Sequence, residues 1–188
     1  MNRSAAILVY LIIAGGAIAL DLWSKVEVFD YLGAEIVHSE ADGKPLLSPG
    51  REVPVIDGYF NLEAAINLGA FSGWFYGMRT LLLGVSCLWV VGTLAFVVLR
   101  PRHERLLVVA LALTAGGAFG NLWDRYFHHA VRDFVKWYVV VDGEPWVWPN
   151  FNIADSCICV GVGLILLREL LVSRAQKRAR KEPATADA

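Results

Sequence analysis

Four apolar stretches, each long enough to cross the hydrocarbon core of a bilayer, limit this chain more than any other feature. They cover roughly residues 5–20, 81–99, 106–123 and 153–172. Lipid offers no partner for a free peptide group, so a run of about 17–25 apolar residues is read as a spanning helix. Of 188 residues, 56% are hydrophobic and 19% charged, and the mean hydropathy is +0.50. A soluble domain of this length carries fewer apolar and more charged residues. The formal net charge of -1 gives no reason to expect a nucleic-acid partner. The expected architecture is an all-α membrane protein of one domain over residues 1–174, with a basic and then disordered cytoplasmic tail over 175–188.

The first run has a basic start at Arg3 and a small-residue stretch at Ala17 to Ala19, which resembles a cleavable leader. Three more spans follow it, and Asp21 and Lys25 stand one helical turn apart just beyond it, so it reads as an uncleaved span. Basic residues cluster between the second and third runs and after the fourth, while the first long loop is acidic. By the loop-charge rule both termini are cytoplasmic and both long loops lie outside. Six of the seven tryptophans fall at or beyond the predicted outer ends; Trp89 is the exception. The first outer loop, over residues 26–78, contains strand-like pieces at 34–38, 52–56 and 59–63, separated by turn signals at 41–45, 48–50 and 57–58. A small extracytoplasmic β-sheet is expected there, with a short interfacial helix over 71–78. Cys87, Cys157 and Cys159 lie within apolar runs and read as small packing residues, with no disulfide framework.

Four acids are expected near the outer boundary: Asp21, Asp124, Asp133 and Asp155. Carboxylates at that depth are costly and mark functional sites. Each also has a plainer reading. Asp21 forms an ion pair with Lys25. Asp124 joins Asn121 and Arg125 in tying helices together or in holding a peptide backbone. Asp155 or Asn152 caps a helix, and Asp133 beside Arg132 is a loop acid. Taken as a set they carry a sharper meaning. Two carboxyls held together away from water share a proton; one then activates water while the other donates to a peptide carbonyl. That chemistry requires no metal and no cofactor. His128 and His129 are adjacent and should diverge on a helix, while His38 and His103 fall on opposite predicted sides, so no zinc cluster is expected. Gly116 to Gly120 lies in an apolar helix and serves close packing rather than phosphate binding.

The ordered motifs Asp21-Leu-Trp-Ser-Lys25, Val55 to Leu62, Asn67-Leu-Gly-Ala-Phe-Ser72, Gly116 to Arg125, Val131-Arg-Asp-Phe134 and Phe151-Asn-Ile-Ala-Asp-Ser156 resemble those of the lipoprotein signal peptidase (signal peptidase II) family over nearly the whole chain. The resemblance implies a bacterial inner-membrane aspartic endopeptidase. Its substrate is a diacylglyceryl-modified prolipoprotein, cut immediately before the lipidated cysteine. It assigns catalysis to Asp133 and Asp155, and substrate binding or support to Asn67, Gly69, Asn121, Asp124, Arg125 and Asn152. Asp21 and Lys25 become structural residues near the site. The expected partners are this substrate and membrane lipids, and the protein is expected to be monomeric. Two segments depart from the family pattern, the long connection over 34–51 and the stretch 139–148; they are expected to alter lid shape, substrate preference or antibiotic sensitivity rather than the reaction. The alternatives are a proton- or ion-conducting protein, disfavoured by the apolar span centres, and an inactive lipoprotein-binding scaffold, disfavoured by the presence of both acids.

Overall fold

The computed structural model describes residues 1–69, 77–100 and 104–179. Their order is α1 (Arg3–Leu32), β1 (Glu35–His38), β2 (Pro45–Ser48), β3 (Val53–Ile56), β4 (Phe60–Asn67), α2 (Arg79–Leu99), α3 (Arg105–Phe127), β5 (Val131–Val141), β6 (Glu144–Val147) and α4 (Ile153–Ala179). All four helices are long and apolar enough to cross a membrane. The interfacial helix expected at 71–78 falls almost wholly outside the described residues, as do Trp74, His103 and the chain beyond 179.

Helix α3 is the centre of the bundle. Of its apolar window 56% is buried, against 28%, 11% and 6% for α1, α2 and α4. The outer helices turn leucines and valines such as Leu8, Leu88 and Leu166 outward, as a lipid-facing surface requires. Small residues set how closely α3 approaches its neighbours. A Cβ on Gly117 would collide with the Ala154 carbonyl oxygen of α4, and one on Gly161 would lie 2.8 Å from the Ala110 carbonyl oxygen. Both approaches need glycine. Tyr10, Thr93, Trp89 and Thr114 lie in this bundle and satisfy one another: the Tyr10 and Thr93 hydroxyls are 2.8 Å apart, and Trp89 Nε1 donates to Thr114 Oγ1 at 3.1 Å. At the far end, the Arg168 guanidinium forks onto Glu104 at 2.9 and 2.7 Å, joining α4 to the start of α3.

Helix α1 runs well past the span read from sequence. Thirty residues at about 1.5 Å each give about 45 Å, against about 30 Å of hydrocarbon. The loop expected from residue 26 therefore begins only at Gly33, which ends the helix in the left-handed conformation (φ 69°). Asp21, Ser24 and Lys25 do not mark the end of α1, because they are buried against other helices. Its last turn is closed by Arg51, whose N–H donates to Leu32 O (2.9 Å) and whose guanidinium donates to Tyr31 O (3.2 and 2.9 Å). The projecting turns carry Phe29 and Leu32 into a second apolar cluster with Ala34 and Phe134, flanked by Leu62 and Val53.

That cluster seats a four-stranded antiparallel sheet in the order β3-β4-β5-β6, with β1-β2 as a separate hairpin. Three expected strands are found near their predicted places. Residues 45–48, between the turn signals at 41–45 and 48–50, form an additional strand, β2; Pro45 stands at its first position, where the missing N–H is tolerated. Strands β5 and β6 replace a region read as loop. Asp142 (φ 53°) and Gly143 (φ 85°) make the two-residue turn between them, the geometry for which Asp-Gly is suited. The helix α4 continues to Ala179, beyond the expected 172. All three cysteines are free, and Cys87 and Cys159 are on exposed helix faces rather than in packing positions. His38, on β1, meets His129 edge to face with ring centres 5.4 Å apart, a contact that the predicted divergence of the His128–His129 pair did not suggest.

Candidate active site

The site is made where the sheet meets the start of α4. Phe151 exchanges backbone hydrogen bonds with Val135 (2.9 and 3.1 Å), which pins the chain two residues along β5 from Asp133. Asn152 follows and caps α4. Its Oδ1 accepts from the Asp155 N–H at 2.9 Å, while Asp155 Oδ2 accepts from the Asn152 N–H at 3.2 Å. This reciprocal pair is a capping box with Asp155 at its third helical position. Of the two residues read as possible caps, Asn152 is the N-cap, and Asp155 is its reciprocal partner one turn into the helix rather than the cap itself.

Asn152 also reaches the second acid. Its Nδ2 donates to Asp133 Oδ1 at 2.7 Å and to Asn121 Oδ1 at 3.1 Å. Asn121 Nδ2 in turn donates to Asp155 Oδ1 at 2.8 Å. Two amides on α3 and α4 thus hold two carboxyls, one from β5 and one from α4. From β4, Asn67 hydrogen-bonds Asp133 and accepts the Gly69 N–H at 3.0 Å. Asp133 is only 2% exposed, whereas Asp155 is partly exposed.

A buried ionic lattice stands behind this pair. Lys25 Nζ donates to Asp21 Oδ2 (2.8 Å) and Asn121 Oδ1 (3.1 Å) and lies 3.4 Å from Asp124 Oδ2. The other Asp21 oxygen accepts the Ala154 N–H of α4 at 2.8 Å, satisfying one of the amides that a helix start leaves unpaired. A Cβ on Gly120 would strike that carboxylate. Asp124 is held by Arg132 through its backbone N–H (3.0 Å), Nε (3.2 Å) and Nη2 (2.8 Å). Arg125 does not pair with the adjacent Asp124. It donates instead to Gly69 O (2.7 Å) and Asn121 O (3.3 Å), fastening the chain after β4. The structure thus brings together all ten residues picked from sequence. It adds Arg132, which the sequence reading treated as the neighbour of a loop acid. An arginine directly before Asp133 within the Val131-Arg-Asp-Phe134 motif was the available signal.

Burial raises the Asp133 carboxyl well above the usual carboxylate range, and the neighbouring Asp155 raises it further; Lys25 and the amides of Asn67 and Asn152 oppose them. Counting charges leads the same way. The cluster contains four carboxyls (Asp21, Asp124, Asp133, Asp155) and three cations (Lys25, Arg125, Arg132), so one bound proton makes it neutral. A buried cluster is least costly when its charges balance.

A four-span bundle with an acid pair held at the edge of its apolar zone defines a class of membrane-embedded enzyme. The model of the family described as Signal peptidase (SPase) II matches residues 13–171. A lipoprotein signal peptidase of Halalkalibacterium halodurans is 33% identical over 93% of this chain and 98% of its own length. One from Xanthomonas campestris pv. campestris is 38% identical over 95% and 96%. A solved bacterial membrane enzyme, 23% identical, shares the fold with a TM-score of 0.70, covering 95% of this chain and 94% of its own. The chain belongs to the signal peptidase II family. It is a multi-pass protein of the bacterial inner membrane that cleaves lipoprotein signal peptides.

Proposed function

We propose that the chain is an aspartic endopeptidase in which Asp133 and Asp155 cut the signal peptide from a diacylglyceryl-modified prolipoprotein, immediately before the lipidated cysteine. The observation that carries this reading is Asn152, which hydrogen-bonds both acids from the cap of α4. Asp133, deep in the cluster, keeps the shared proton and donates it to the scissile carbonyl oxygen. Asp155, nearer to water, takes a proton from the attacking water molecule. The resulting tetrahedral intermediate collapses when a proton passes to the leaving nitrogen. The products are a signal peptide with a free carboxylate and a lipoprotein with a free α-amine.

Asn67, Gly69, Asn121 and Arg125 keep the acids and the chain after β4 in place for a substrate backbone. Asp21, Lys25 and Asp124 hold α1, α3 and α4 in register. The loop charges support cytoplasmic termini and a site at the outer face, with the protein acting as a monomer among membrane lipids. Purified protein in detergent, incubated with lipidated prolipoprotein, tests the proposal. Asp133→Asn and Asp155→Asn should each abolish cleavage while retaining the fold. Full activity in either variant removes that residue from the pair, and equal cleavage of an unlipidated substrate removes the lipid requirement.

A further inference from the structure

The Asp133 face of β5 continues beyond the site. Side chains alternate along a strand, so Val135, Trp137 and Val139 project on the same side as Asp133. The irregularity in the β4–β5 register lies between Leu62 and Ala65 of β4, leaving this stretch of β5 regular. Together with Trp146, Trp148 and Phe151, these side chains line an open groove of about 900 Å³ whose wall contains no charged residue. Trp137 meets Phe151 edge to face at 5.3 Å, yet Trp137, Trp146 and Trp148 remain 56%, 74% and 54% exposed. Next along the strand, Lys136 pairs with Glu52 and Glu63. Apolar surface is thus gathered on the face that is in line with the carboxyl. An exposed aromatic face of this size marks a binding surface.

We propose that this groove seats an acyl chain of the lipid-modified substrate. The inference rests on the reading of Asp133 and Asp155 as the site of a cut beside the lipidated residue. Position carries it further. Two residues of strand span about 6.6 Å, so the groove opens at Val135 one such step from Asp133. A lipid attached one residue from the scissile carbonyl needs an apolar seat that close. Phe151 closes the same end and leads directly into Asn152, so groove and site are continuous. The hairpin over 139–148 lengthens the wall, making this chain selective for acyl length.

The test uses the full chain as Asp155→Asn in lipid nanodiscs, with a lipidated substrate peptide bearing a diazirine at the end of one acyl chain. Adducts should map to residues 135–151 and disappear under excess unlabelled lipidated peptide. With the wild-type acids, Trp137→Ser and Trp146→Ser should each raise KM about tenfold for a long-chain substrate, leaving kcat and the KM of a short-chain analogue unchanged. Adducts confined to the helices, or equal KM shifts at both chain lengths, would overturn the proposal. So would equal labelling of the groove by a diazirine phospholipid, which would make it a seat on the bilayer, or crosslinks between two copies of the chain. If Asp155→Asn still cleaves, the reading of the acid pair fails, while the adduct map still reports on the groove.

Discussion

Removing the Lys25 ammonium tests the buried lattice most directly. Lys25 and Asp21 are both 0% exposed, and Lys25 is shared among Asp21, Asn121 and Asp124. Breaking a buried pair from one side costs about 3–5 kcal/mol, because the partner charge is left without compensation. The lower end applies to Lys25→Met, since Asp124 keeps the Arg132 fork and Asp21 keeps the Ala154 N–H. At about 2–4 °C per kcal/mol for a chain of this size, the melting midpoint should fall by roughly 6–12 °C. Asp21→Asn alone should cost about 1–2 kcal/mol, as its side-chain oxygen can still cap α4. The double variant removes both members of the pair, so its loss should be smaller than the sum of the single losses by at least about 1 kcal/mol. Thermal melts in detergent, followed by intrinsic tryptophan fluorescence, give all four corners of the cycle. An unchanged midpoint for Lys25→Met, or additive losses, would refute the view that Lys25 neutralises a buried pair.

Three further outcomes are expected. The fold holds Asp133 in its neutral form, a contribution complete below the ordinary carboxylate pKa of about 3.9 and lost as pH rises through the raised folded value. The midpoint of Asp133→Asn should therefore gain on wild type as pH rises above the ordinary carboxylate range, and wild-type cleavage should decline on its basic limb over the same transition; parallel melting curves would contradict this. Arg132→Met should lower kcat about 10- to 100-fold, on the scale of a 1 Å misplacement, through Asp124 and the start of β5. Arg132→Lys should not restore it, because an ammonium cannot reproduce the Nε and Nη2 fork; rescue by lysine would reduce the role to charge alone. Gly117→Ala should destabilise by about 1–3 kcal/mol through overpacking against Ala154. Gly163→Ala, whose Cβ would meet nothing within 4 Å, is the control and should leave the melt unchanged or raise it.

Spanning helices were legible in the chain because length and hydropathy are local properties, and all four apolar runs became helices. Their ends were not. Polar residues at 21–25 looked like the edge of the membrane, but in α1 they are turned inward against α3 and α4. The β5–β6 hairpin was also legible in principle, since Asp142-Gly143 between a valine-rich run and the Trp146-Val-Trp148 stretch is a turn signal. It was instead read as part of the second long outer loop.

The sequence by itself determined which side chains were available for chemistry and that they stood beside the ends of the apolar runs. Motif order tied those residues to a family. Only the tertiary structure decided their partners. Asp124 chose Arg132 over adjacent Arg125, Asp21 capped a helix 133 residues away, and Asn152 joined Asp133 to Asp155. These choices depend on how closely α1, α3 and α4 approach at Gly116, Gly117 and Gly120, and on the β4–β5 register. Both are long-range geometries that no local pattern encodes. In an apolar surround a buried charge must find its partner wherever the packing places one.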